Sequence, residues 1–130
     1  MFLLDTDTCI DVLRGVKRVA QKLEQLSPDD CCVSVISAFE LYAGVYFTRH
    51  PEREKRKVDK LLYLLSVIPF DQVAAEEAAR LRNELQHTGT PIGPYDLLIA
   101  AQAVLSKYTL VSANIREFSR IESLNLESWR

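Results

Sequence analysis

Two hydrophobic rhythms alternate along the chain: short β-branched or apolar runs, and longer stretches whose apolar positions recur every three to four residues. The short runs predict strands at Phe2 to Leu4, Cys32 to Val35, Val67 to Phe70, Thr109 to Ser112 and, with the weakest pattern, Leu124 to Leu126. Helices are predicted over Thr8 to Leu26 with a break near Gly15, Ser37 to Phe47, Glu52 to Ser66, Gln72 to His87 and Tyr95 to Leu105. Asp71 marks the start of the fourth, and Gly89 follows its end as a stop signal. The fifth is apolar nearly all round, so it is expected to lie buried against a sheet. This alternation predicts a parallel α/β sheet.

Composition narrows the class. A chain of 130 residues suffices for one domain, residues 1–130, with a core that needs neither disulfides nor structural metal. A 48% hydrophobic share against 26% charged excludes a disordered chain. The apolar start, Met1 to Leu4, runs straight into Asp5 and Asp7, the pattern of neither a signal peptide nor a membrane span, so a cytoplasmic protein without membrane association is expected. Cys9, Cys31 and Cys32 are odd in number and form no CxxC pair, so reduced thiols are expected, without zinc or redox chemistry. A net charge of −2 argues against a generic nucleic-acid coating protein, and any RNA contact has to be local.

Candidate chemistry lies in where the acids fall. Asp5 ends the first predicted strand, Glu40 sits in the first turn of the Ser37 helix, Asp96 stands at the mouth of the buried helix, and Asn114 follows the fourth strand. In a parallel sheet the strand C-termini and the helix N-termini that follow share one edge, so these residues can converge. Clustered carboxylates repel one another unless a cation neutralises them, and hard oxygen ligands suit Mg²⁺ or Mn²⁺. A metal held there polarises a phosphodiester and acidifies a bound water, which is nuclease chemistry. Each acid also has a structural reading. Ser37-Ala38-Phe39-Glu40 spells a capping box, Asp96 after Pro94 fits an N-cap, and Asp5 and Asp7 fit turn or cap positions. Both readings stand at this level.

The segments FLLDTDTCI, SVISAFELYAG, IGPYDLLIAAQA and LVSANIREFSRIESLNLESW, in this order across almost the whole chain, resemble a PIN domain, and among PIN domains the VapC toxins. The resemblance implies a three-layer α/β/α fold with a mostly parallel sheet of about five strands. It implies a metal-dependent endoribonuclease that acts as the toxin of a toxin–antitoxin pair, with Asp5, Glu40 and Asp96 as ligands of Mg²⁺ or Mn²⁺. Asn114 falls where PIN domains often carry Asp and some VapC-like sequences carry Asn; it adds no charge, which leaves open whether a second metal is held. Thr6 and Ser112 fall where the family tends to keep small polar groups that support ligands. Asp7 is a secondary candidate with a capping role. The partners implied are an RNA substrate, a VapB-like antitoxin laying an amphipathic segment in a groove and pushing a basic residue into the acidic site, and a second copy of the chain.

Two other readings differ in class. The DTDT after the first strand also resembles the opening of haloacid-dehalogenase-like phosphatases, with Asp5 as nucleophile and Asp7 as acid/base, but the later lysine and the terminal acidic pair near Gly-Asp are replaced by SAN and YDLLIA. A catalytically silent PIN domain used for binding is the other, and the intact Asp5, Glu40 and Asp96 count against it. For substrate contacts, Arg116 is the base expected beside a phosphate, with Glu117 and Glu122 as competing partners. Arg14, Lys17, Arg18 and Lys22 read as a solvated face, and Arg53 to Lys60 as a helix surface of compensating charges. His50 and His87 read as surface residues, Phe39 as core, and Tyr42 and Tyr46 as partly exposed.

Overall fold

The computed structural model describes residues 1–130. Five strands, β1 Phe2–Leu4, β2 Cys31–Ser34, β3 Ser66–Ile68, β4 Thr109–Val111 and β5 Asn125–Glu127, form one sheet in the order β3-β2-β1-β4-β5. Every pairing is parallel, so the sheet expected to be mostly parallel is wholly so. Seven helices cover it: α1 Thr6–Leu13, α2 Lys17–Glu24, α3 Val35–Val45, α4 Pro51–Leu64, α5 Gln72–His87, α6 Pro94–Ser106 and α7 Ile115–Phe118.

Alternation along each strand divides the interior. Leu3, Cys32 and Leu110 face one side, where they pack with Leu81, Ile99 and Phe118 of α5, α6 and α7. Leu4, Cys31, Val33 and Val111 face the other, against Cys9, Leu41 and Leu61 of α1, α3 and α4. Both faces of the central strands are therefore dry, as a parallel sheet requires. The buried helix expected at Tyr95 to Leu105 is α6, with Ile99, Ala100, Ala101 and Ala103 fully enclosed.

The break expected near Gly15 is present: α1 and α2 are separate helices, and Gly15 takes φ +71° between them. Other boundaries moved for identifiable reasons. Helix α3 starts at Val35 rather than Ser37, since the Ser34 hydroxyl accepts from the Ile36 amide and caps it there. The third strand stops at Ile68, before Pro69, which has no N–H to continue a ladder. Asp71 does cap α5, accepting from the Ala74 amide at 2.9 Å. All three cysteines are free and buried. No helix is long and apolar enough to cross a membrane.

Arg130 closes the structure on α1 through a two-pronged pair with Asp11, Nε to Oδ2 at 2.7 Å and Nη2 to Oδ1 at 2.9 Å. The Asp11 side chain is only 5% exposed, and the guanidinium hydrogen bonds hold its carboxyl below the usual range. A carboxyl lowered by folding stabilises the native state above its ordinary value of 3.8, and that contribution is lost as pH falls through the folded value. Arg130→Ala is accordingly expected to lower Tm at pH 7, and the gap to the native sequence should close at about pH 2–3. An equal gap at both pH values would refute an ionic origin.

Candidate active site at the β1–β4 switch point

Strand order reverses between β1 and β4: the chain steps from β1 outward to β2 and β3, then returns to β4 on the other side. Such a switch point opens a crevice at the carboxyl ends of the strands. Asp5 follows β1 directly and Ser112 follows β4, and they meet there, the Ser112 hydroxyl donating to Asp5 Oδ2 at 2.8 Å. Ser112 is fully buried and Asp5 4% exposed. Asp5 occupies the N-cap position of α1 in extended backbone, but its side chain makes no cap bond to that helix. The capping reading of Asp5 therefore fails.

Asp7 does not cap its own helix either. Its Oδ2 accepts from the Ala113 amide at 3.1 Å and lies 3.3 Å from Ser112 Oγ, so it braces the turn after β4. The Asn114 amide donates back to Ser112 Oγ at 3.0 Å. The Asn114 side-chain amide donates to Glu117 Oε2 at 2.6 Å and, at 3.4 Å, to Asp96 Oδ2. Thr6 Oγ1 donates to Glu40 Oε1 at 2.7 Å and lies 2.9 Å from the Ser37 hydroxyl. That corrects the capping-box reading: Ser37 is enclosed inside α3, Ser34 is the cap, and Glu40 is held by a residue of α1. Asp96 sits in the first turn of α6, whose N-cap is Gly93, so it is no cap either.

Asp5, Thr6, Asp7, Glu40, Asp96, Ser112 and Asn114 thus converge at the carboxyl end of the sheet. Glu117 joins them, a residue that sequence reading treated only as a partner for Arg116. Its signal was the one-turn spacing from Asn114, legible only to a reader who expected the four-residue α7. Arg116 is exposed and enters none of the chain's ion pairs, with Glu117 or any other acid.

The acids feel one another. Burial first, then the neighbouring charges of Asp7 and Asp96, push the Asp5 carboxyl up to about 7, against the pull of the Ser112 hydrogen bond. Burial likewise raises Asp96, reinforced by Glu117, Glu40 and Asp7 and opposed by the Asn114 amide. No lysine or arginine pairs with any of these carboxylates. The cleft is a concentration of negative charge that the protein itself leaves uncompensated, with donors of the all-oxygen kind a hard divalent cation takes. The side chains nevertheless do not close into a cage of three or more ligands.

The sequence model of the PIN domain matches residues 2–124. The chain belongs to the PIN-domain family. Among PIN-domain relatives, the tRNA(fMet)-specific endonuclease VapC of Salmonella typhimurium is 35% identical over 128 residues, 98% of this chain and 97% of that protein. Ribonuclease VapC2 of Rickettsia felis is 35% identical over 131 residues, covering 99% and 98%. Of solved PIN structures, DNA-bound VapBC from Salmonella typhimurium superposes with a TM-score of 0.93 at 34% identity, over 99% of this chain and 98% of that one. The three-layer fold with its parallel sheet is thereby the PIN fold.

A change at Ser112 tests the site's internal wiring without replacing a carboxylate. Ser112→Ala removes the donor to Asp5 and the acceptor for the Asn114 amide, and a loss of roughly 10–100-fold in kcat is expected from unfixing two neighbours at once. Ser112→Thr should restore most of it, and an Ala variant with unchanged kcat would show the hydroxyl to be structural only.

Proposed function

We propose that this chain is a metal-dependent endoribonuclease and the toxin of a toxin–antitoxin pair. The observation that carries the reading is the uncompensated set Asp5, Asp7, Glu40, Asp96 and Glu117 around the β1–β4 switch point, in a chain whose relatives are ribonucleases by name. Asp5, Asp96 and Glu40 are the residues that would hold Mg²⁺ or Mn²⁺; the ion's contribution when bound is to polarise the phosphodiester and acidify a water. The remaining roles belong to the protein. Ser112 fixes the rotamer of Asp5, Thr6 turns Glu40 into the cleft, and Asn114 spans Asp96 and Glu117, leaving its carbonyl oxygen free to accept from water.

An antitoxin partner is supported by the groove of about 460 Å³ between α1, α3 and α4. Ile10, Leu13, Leu41, Val45 and Val58 offer it an apolar floor, and Glu40 lies at its edge. That arrangement suits an amphipathic segment that buries apolar side chains and sends a cation toward the acids. Relatives crystallised as VapBC complexes support the same partner. A homodimer is supported by Phe39 and Tyr95, which meet edge to face at 5.6 Å yet remain 54% and 46% exposed. Phe39 is therefore not the core residue its sequence position suggested.

The decisive experiment incubates total bacterial RNA with the purified chain and Mg²⁺ or Mn²⁺, beside EDTA and Asp5→Ala controls. Discrete fragments that vanish in both controls are expected, and their ends identify the target. Folded, antitoxin-free protein that cuts nothing with either metal would instead be a silent binding module.

A further inference from the structure

The corner between α3 and α4 carries charge and apolar surface that the carboxylate cleft does not use. Tyr46 and Phe47 leave 81% and 91% of their surface in solvent. Immediately beyond them Arg49, Arg53 and Arg56 line one open cavity of about 520 Å³ with His50, Pro51 and Glu52, and no hydrophobic residue contributes to its wall. The α4 surface looked self-compensating in sequence, and in part it is: Lys55 pairs with Asp59 and Lys57 with Glu54, while Lys60 stays unpaired. The three arginines enter none of the chain's ion pairs. Helix α4 begins at this corner without a side-chain cap, adding its own partial positive charge.

Three exposed guanidinium groups against the single carboxylate of Glu52 leave this cavity with an excess of positive charge, on a chain of net charge −2, that adds nothing to folding. Two bare aromatics beside them extend the patch with exposed apolar surface of the kind that marks an interaction site. The combination suits one kind of ligand, a flexible chain with regularly spaced phosphates and unstacked planar bases. It also answers a difficulty of the cleft, whose carboxylates repel a polyanion, so substrate affinity has to come from elsewhere on the surface. Glu40 and Tyr46 lie on the same rod, six residues or about 9 Å of helix axis apart, within a few nucleotides of each other along a strand.

We propose that the α3–α4 corner docks single-stranded RNA, with Arg49, Arg53 and Arg56 on backbone phosphates and Tyr46 and Phe47 stacking unpaired bases. This rests on the ribonuclease reading and adds to it where the strand is gripped.

The test is binding of a fluorescent single-stranded RNA decamer by anisotropy in EDTA, across a salt series, with cleavage of total RNA measured in parallel. Arg53→Gln/Arg56→Gln should flatten the slope of log affinity against log salt by about 1.4 and weaken binding roughly 25-fold at 0.1 M salt, at about 0.7 per phosphate contact. Arg82→Gln/Lys107→Asn removes two positive charges elsewhere and should change either quantity far less. Tyr46→Ala/Phe47→Ala should weaken binding by at least roughly thirtyfold with the slope unchanged, as loss of two stacked bases requires. All these side chains are exposed, so the variants should melt like the native chain. If the native chain cuts RNA while the arginine variant binds like the charge-matched control, the docking site is wrong and the nuclease reading survives; that result would assign the corner to an acidic protein surface. A native chain that neither cuts nor binds RNA overturns both.

Discussion

Asp5→Asn should abolish divalent-dependent RNA cleavage and, in metal-free protein, raise the melting temperature. Both effects come from the same placement. Burial at the end of β1, reinforced by the charges of Asp7 and Asp96, raises the Asp5 carboxyl from its ordinary 3.8 to about 7. A carboxyl raised by folding favours the native state only while protonated, so the native state loses stability as pH climbs from about 4 to 7, and at pH 8 the full cost is present. That cost is on the order of 2–4 kcal/mol. Asparagine keeps the acceptor for Ser112 without the charge, so in EDTA at pH 8 a rise of roughly 5–10 °C is expected. Activity should fall by more than the roughly 10–100-fold typical of changes around a metal ligand. Adding Mg²⁺ or Mn²⁺ should then raise the Tm of the native chain and leave the variant where it is. A variant that is both less stable and still active would place the reacting acids elsewhere.

The second large effect is on the scaffold. Phe118 is fully enclosed among Leu3, Leu110, Ile99 and Ile121, and it ends the short helix that carries Asn114 and Glu117. Phe118→Ala removes that anchor and should cost about 3–5 kcal/mol, or roughly 10–20 °C in Tm. Phe118→Leu keeps much of the volume and should cost roughly 1–2 kcal/mol. At temperatures where the alanine variant is still folded by circular dichroism, its cleavage should remain depressed, because the turn presenting Asn114 and Glu117 has lost its seat. Full activity in the folded fraction would mean that α7 holds its geometry without Phe118.

Glu117 shows why the candidate site was only partly legible. Asp5, Glu40 and Asp96 each stand at an element that periodicity reveals, the end of an apolar strand or the first turns of a long helix. Glu117 sits on four residues, too few for a 3.6-residue rhythm to register, and its role is visible only through the 2.6 Å contact with Asn114. Caps went astray for a related reason. Ser37 and Glu40 have capping-box spacing, but Ser34 stands three residues earlier and won the position, leaving Ser37 inside the helix and Glu40 free for Thr6.

What the chain by itself determined is the alternation of strands and helices, the parallel sense of the sheet, the burial of α6 and the acids at strand ends, because these follow from local periodicity and residue type. The order β3-β2-β1-β4-β5, and so the meeting of Asp5 with Ser112 across 107 positions, was decided by packing alone. So was the pairing of Lys55 and Lys57 on α4 while Arg53 and Arg56 stay unpaired, since composition counts charges but only geometry pairs them.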